Sequence, residues 1–238
     1  MDITKIITRT LAALSFLTIA RIRKGKDTYI YDDTADTFAY AGFVIGVPLA
    51  VIHLVFGKAS PVLMLIYMAV VTGLLHVDGL ADTFDGLFSG RGRERSLEIM
   101  KDSRIGAMGA GAVVLYFTAN FQAFSMLNSS WVLAIVPALS RYAMAKLMSD
   151  VPYISKDGIA RVFLNNKLSH VQLVPFVLLA LIALGVKMTL AFIIVAVVSY
   201  RLISSWYVRR LGGITGDMIG ALGVTIETLL FLTAGWLS

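Results

Sequence analysis

The sequence predicts an all-α, polytopic membrane helical bundle: about seven transmembrane helices, an N-terminal interfacial or re-entrant helix, and polar helices on the cytoplasmic side. Three observations carry that prediction. Of the 238 residues, 58% are hydrophobic and only 15% are charged, well short of the quarter or so usual in a soluble domain. The mean hydropathy is +0.79, and apolar runs recur at lengths suited to crossing about 30 Å of hydrocarbon. The polar segments between these runs are too short to fold alone, so residues 1–238 read as a single integral-membrane domain. The absence of cysteine excludes disulfides and thiolate metal sites.

Residues 3–20 carry Lys5 and Arg9, then only a short apolar run from Leu11 to Ala20. That run is too short to cross a bilayer and reads as an interfacial or re-entrant helix. Arg21, Arg23, Lys24 and Lys26, followed by Asp27, Asp32, Asp33 and Asp36, read as a solvated loop. Span 1 is expected at Phe38–Phe56 and span 2 at Pro61–His76, joined by a tight turn. Span 3 covers Ala107–Leu127, and Gly106, Gly109 and Gly111 give it a small-residue face for close helix contact. Such a face permits a homo-oligomer without requiring one. Span 4 is Trp131–Met148, and spans 5 and 6, Val171–Gly185 and Thr189–Tyr207, are linked by a very short turn at Lys187. A Gly-rich loop then leads into span 7, Met218–Leu237.

The charges orient this layout. Loops 21–37, 77–106, 151–169 and 209–217 hold fourteen of the 21 Lys and Arg residues, whereas the opposite turns hold only Lys58 and Lys187. The positive-inside rule therefore predicts a multi-pass cell-membrane protein with its N-terminus inside, its C-terminus outside and its long loops in the cytoplasm. The formal charge of +6 reflects that bias and does not call for a nucleic-acid partner.

The stretch His76-Val-Asp78-Gly-Leu-Ala-Asp82-Thr-Phe-Asp85-Gly86 follows span 2. Carboxylates at i, i+4 and i+7 on a helix share a wedge of roughly 60°. Like charges that close destabilise a helix unless a cation lies between them, and hard cations such as Mg²⁺ prefer oxygen ligands. Asp78, Asp82 and Asp85 are therefore candidate metal ligands. Next, Arg91, Arg95, Glu98 and Asp102 fall at i, i+4, i+7 and i+11, a single stripe if the segment is helical. The stripe is either a lattice of exposed ion pairs or a phosphate clamp beside the acidic face. Asp217 begins span 7 after Gly212-Gly213-Ile-Thr215-Gly216, as a helix cap or as part of an anion-binding loop. Arg141 falls near mid-membrane, where an unpaired cation is costly; Glu227 or an anionic substrate is its expected partner.

These blocks resemble the cobalamin synthase family, the adenosylcobinamide-GDP ribazoletransferases. The resemblance rests on His76-x-Asp78-Gly-Leu-Ala-Asp82-Thr-x-Asp85-Gly86, on Arg91-x-Arg93-x-Arg95-x-x-Glu98-Ile-Met-Lys101-Asp102-Ser103-Arg104-x-Gly106, on Ser140-Arg141, and on Gly212-Gly213-x-Thr215-Gly216-Asp217-x-x-Gly220-Ala221. It implies a membrane enzyme in which a hydroxyl of α-ribazole, or of its 5′-phosphate, attacks adenosylcobinamide-GDP and releases GMP with Mg²⁺ as cofactor. On that chemistry Asp78, Asp82 and Asp85 would hold the metal, and Asp82, Asp85 or Asp102 would take the hydroxyl proton. Arg91, Arg95, Glu98, Lys101, Arg104, Arg141, Thr215 and Asp217 would line the phosphate and substrate site. The family pattern often carries a second Glu seven residues beyond its Thr-Gly-Asp block; here that place is Val224, and Glu227 stands at ten.

Two other classes fit less well. A CDP-alcohol phosphotransferase expects Arg where Asp82 follows Ala81. An ion transporter would place its acids near mid-membrane, not at the rim.

Overall fold

The computed structural model describes residues 3–20, 34–155 and 168–238. The charge run at 21–33 and the loop cations Lys156, Arg161 and Lys167 lie outside the described residues. Among the described residues nine α-helices follow in order: α1 (Ile3–Leu17), α2 (Phe38–Phe56), α3 (Ser60–Thr72), α4 (Leu75–Leu87), α5 (Arg93–Ile99), α6 (Ala107–Met126), α7 (Ser130–Asp150), α8 (Val174–Leu211) and α9 (Gly216–Leu237). Among the described residues the only β pairing is an isolated bridge between Tyr153 and Ile214.

α7 and α9 form the centre of the bundle. About three-quarters of the apolar window of each is buried, 78% and 72%, against 11% for α8. Leu133, Ile135 and Leu147 of α7 and Leu222, Ile226 and Leu230 of α9 are fully enclosed. α2 reaches α7 at backbone distance: a Cβ added at Gly46 would lie 2.5 Å from the Leu133 carbonyl oxygen. Small residues allow this approach where apolar lipid offers no hydrophobic drive to pair helices. The outer faces expose Val51, Leu54, Val114, Leu115, Ile182 and Val197, as expected of lipid-facing positions. The protein is a multi-pass, all-α membrane bundle.

The count of seven spans is not reached by length and apolarity. Among the described residues five helices are long and apolar enough to cross a membrane, or six if α3 and α4 are taken as one broken span. α3 is only 13 residues long, about 20 Å. It ends at Thr72, four residues earlier than the sequence reading, because Gly73 turns left-handed (φ 57°, ψ 28°) and its N–H caps the carbonyls of Ala69 and Val70. Leu74 is left-handed too, and α4 leaves at 86° to α3. His76 therefore belongs to α4, which packs along the first turns of α6 and α9.

α8 holds both of the expected spans 5 and 6, and the break falls at Gly185 (φ 80°, ψ 171°), not at Lys187. His170, just before the helix, contacts Tyr142, while Tyr200 donates to Asp150. In a straight helix, positions 170 and 200 would be about 45 Å apart, yet Tyr142 and Asp150 are separated by only about 12 Å of α7. The two arms of α8 thus lie side by side, folded at Gly185. That backbone conformation is open essentially only to glycine. Gly185→Ala is expected to destabilise the protein by about 1–3 kcal/mol, read as a lower melting temperature in detergent, while Val186→Ala leaves it nearly unchanged.

Candidate active site

α4 presents its acids where it crosses the start of α9. A Cβ added at Gly79 would lie 2.8 Å from the Asp217 carbonyl oxygen, and one at Gly220 would lie 3.2 Å from His76 Cα. These two glycines bring the chains into backbone contact. Asp217 thereby joins the face formed by Asp78 and Asp82, although more than 130 residues separate them in sequence. Asp78 is exposed and Asp82 half-buried. Burial, followed by the negative charges of Asp78, Asp217 and Asp85, pushes the Asp82 carboxyl up to about 7.

Asp85 is engaged differently. Its two oxygens accept the N–H groups of Gly106 (2.6 Å) and Gly109 (2.8 Å) at the start of α6. A carboxylate there satisfies orphan donors and meets the positive end of the helix dipole. Of the three glycines read in the sequence as a helix-contact face, Gly106 and Gly109 serve this approach, since a Cβ at either would collide with Asp85, while Gly111 faces open space. Thr215, not Asp217, caps α9: its hydroxyl oxygen accepts from Met218 N at 3.4 Å and its hydroxyl donates to Asp217 Oδ2 at 3.5 Å. The approach to α9 is fixed by backbone pairing, Ile154 N to Ile214 O and Ile214 N to Pro152 O, both 2.9 Å.

Beside this face lies a cavity of about 810 Å³. Thr215, Asp217, Glu94, Glu98 and Lys101 line its polar side, and Phe16, Met144, Met148 and Ile219 its apolar side. Asp217 belongs to both the cavity and the acidic face. The sequence reading missed the apolar wall and the burial of His76, which also lines the cavity. The i, i+4 spacing of Met144 and Met148, on the face that carries Arg141 a turn earlier, was the available signal.

The basic stripe is shorter than its spacing suggested. α5 spans only Arg93–Ile99, with Arg91 before it and Asp102 beyond it. Gly90 and Gly92 delay the start, and Asp102 closes a turn by accepting the Arg104 N–H at 3.1 Å. Much of the stripe pairs with itself. Arg95 meets Glu98 at 2.7 Å, and Arg104 grips Asp102 through Nε (3.0 Å) and Nη2 (2.6 Å). The Arg104 guanidinium and backbone N–H bonds hold the Asp102 carboxyl down to about 2. Arg91 is exposed and lies away from the cavity, whereas Lys101 reaches its wall.

Arg141 is 1% exposed and forms an ion pair with Glu227, 2% exposed, in the bundle core. It does not line the cavity, so the structure gives it the intramolecular partner of the two expected. Ser140 Oγ beside it donates to the Gly223 carbonyl at 2.8 Å, tying α7 to α9.

Among the described residues, no three His, Asp or Glu side chains stand close enough to cage a metal by themselves. Mg²⁺ usually takes one or two carboxylates and completes its shell with water and substrate phosphate, so at the face of Asp78, Asp82 and Asp217 it would need donors from outside the chain.

Fold and site together define an integral-membrane protein with a carboxylate site at one end of its helices. The family model described as cobalamin-5-phosphate synthase matches residues 9–235, and the chain belongs to that family, a transferase of cobalamin biosynthesis. It is 31% identical to the adenosylcobinamide-GDP ribazoletransferase of Fusobacterium nucleatum, over 93% of this chain and 94% of that protein. Its identity to the protein of the same name from Bradyrhizobium diazoefficiens is 33%, over 93% and 91%. For the one from Roseiflexus it is 38%, over 82% and 76%. No solved structure matches the chain.

Two predictions follow from the packed charges. Glu227→Leu strands a buried cation and is expected to lower stability by roughly 3–5 kcal/mol, whereas the double replacement Arg141→Met with Glu227→Leu loses much less; melting curves in detergent compare them. Because Asp82 binds its proton more tightly in the folded protein than its ordinary value of 3.8 allows, its contribution is fully present below about pH 4 and lost as pH rises through about 7. The metal-free protein is expected to melt at progressively lower temperature across that window, and Asp82→Asn to flatten the dependence.

Proposed function

We propose that this chain transfers the cobinamide-phosphate group of adenosylcobinamide-GDP to α-ribazole or α-ribazole 5′-phosphate, releasing GMP, in the last stage of cobalamin assembly. The carrying observation is the meeting of Asp78, Asp82 and Asp217 from α4 and α9 beside a cavity that Lys101 also lines. The relatives' shared name, adenosylcobinamide-GDP ribazoletransferase, supports the choice of substrates. The fourteen Lys and Arg residues of the long loops support a site facing the cytoplasm, with the N-terminus inside and the C-terminus outside.

Asp78, Asp82 and Asp217 are the residues that would hold Mg²⁺. Bound there, the ion would neutralise negative charge on the donor's pyrophosphate. Lys101 positions phosphate at the cavity wall, and Arg91 draws anionic substrate to the rim. Of the three candidate proton acceptors, Asp85 is committed to the α6 amides and Asp102 to Arg104. Asp82 has neither engagement and is the carboxylate we assign to the attacking hydroxyl.

The test is GMP release by detergent-purified protein given adenosylcobinamide-GDP, α-ribazole 5′-phosphate and Mg²⁺. Asp82→Ala is expected to lose at least the 10²–10⁴-fold that general-base catalysis contributes, with melting temperature kept or raised because a crowded charge is gone. Chelator should stop turnover. Independently of turnover, Mg²⁺ should raise the melting temperature of the wild type at pH 8 but not that of Asp78→Asn with Asp217→Asn. Robust GMP release by Asp82→Ala would overturn the assignment of that residue.

A further inference from the structure

A second cavity lies outside the acidic site, between α7 and the two arms of α8. It encloses about 280 Å³. Small residues create it: Ala143 on α7, Ala180 on the first arm, Ala196 on the second. Phe176 and Phe192 wall it and are 4% and 1% exposed, while Ile193 and Val197 at its edge are 42% and 53% exposed, so it is a slot half-open at the flank of the bundle. Interiors pack at crystal-like density, and gaps of this size are few. Between membrane helices such a gap opens on hydrocarbon, not on water.

The slot has a direction. From Thr189 to Arg201 the second arm rises about 18 Å, close to the roughly 15 Å depth of one leaflet's hydrocarbon. Its deep end is apolar. At the shallow end stand Lys146 and Arg201, the only charged residues that line it. Lys146 is fixed in place: it pairs with Asp150 at 2.9 Å and lies 5.5 Å over the Tyr200 ring, whose hydroxyl donates to the same carboxylate. Asp150 thus answers one cation, and Arg201 remains exposed at the mouth. The slot matches the shape and charge of an amphiphile with one apolar chain and an anionic head.

We infer that this slot is a resident-lipid site: an acyl chain of an anionic phospholipid lies between α7 and the arms of α8, with its phosphate at Lys146 and Arg201. Basic pockets between membrane helices hold anionic headgroups through the same charge complementarity. The chain completes packing that the alanines leave open and wedges the two arms against α7. The site is separate from the acidic cavity and is expected whatever reaction the protein performs.

The test uses the full chain purified in mild detergent, with phosphatidylglycerol and phosphatidylcholine as probes. Native mass spectrometry is expected to find a phosphatidylglycerol retained on the wild type. Adding it to delipidated protein should raise the melting temperature more than phosphatidylcholine does. Ala196→Phe fills the slot and should abolish both retention and the lipid-dependent shift. Arg201→Gln, at an exposed position tolerant of change, should keep a chain bound but erase the preference between the two headgroups. Absence of retained lipid on the wild type, equal shifts from both probes on the wild type, or undiminished retention by Ala196→Phe would each overturn the proposal.

Discussion

Where α4 packs on the first turn of α9, Gly79 meets the backbone of Asp217 with no room for a side chain, and Gly220 meets His76 with little. That contact sets the spacing of the acids. With any larger residue at 79 the helices would stand apart, and Asp217 would relax from Asp78 and Asp82 into solvent. Packing here works against electrostatics: apolar contacts such as Val77 and Leu80 against Ala221 and Val224 hold together carboxylates that repel one another. An acidic cluster under such compression favours a hard cation, and protons substitute when none is bound.

Several other charges are answered locally. Asp85 caps α6, Arg141 faces Glu227, Lys146 faces Asp150, and the exposed arginines 95 and 104 find acids within a turn. Exposed pairs of the last kind contribute about 0–1 kcal/mol at most, so they order the loop more than they stabilise it. By occupying those arginines they also narrow the phosphate-binding set, leaving Lys101 as the cation at the cavity wall. Among this population, the Asp78, Asp82 and Asp217 group stands out as a cluster of like charges from two helices.

Much of this was legible in the sequence because membrane spans and helical spacing are local properties. The apolar runs gave α2, α6, α7 and α9 within a few residues, and the i, i+4, i+7 spacing placed Asp78, Asp82 and Asp85 on one helix. The Arg141–Glu227 pair was also readable, since a mid-membrane cation demands a partner. What failed depended on backbone turns. The left-handed pair Gly73-Leu74 ends α3 early and swings α4 through 86°, whereas hydropathy runs on through both residues. Spacing alone likewise extended a stripe from Arg91 to Asp102, though α5 holds only seven residues of it. The capping role of Asp85 was hidden for a different reason: its amide partners carry no side chains to announce them.

The position of α4 connects these points. The turn at Gly73 sets α4 against the first turns of α6 and α9, where Asp78 is exposed and Asp82 half-buried. Partial burial matters because a carboxylate fully in water would be screened from its neighbours, and one fully in hydrocarbon would stay protonated. In between, each acid feels the others and answers to whatever cation or phosphate enters. The packed helices supply the low-dielectric side against which the acids are compressed, while the turn and the two glycines fix how far that compression goes.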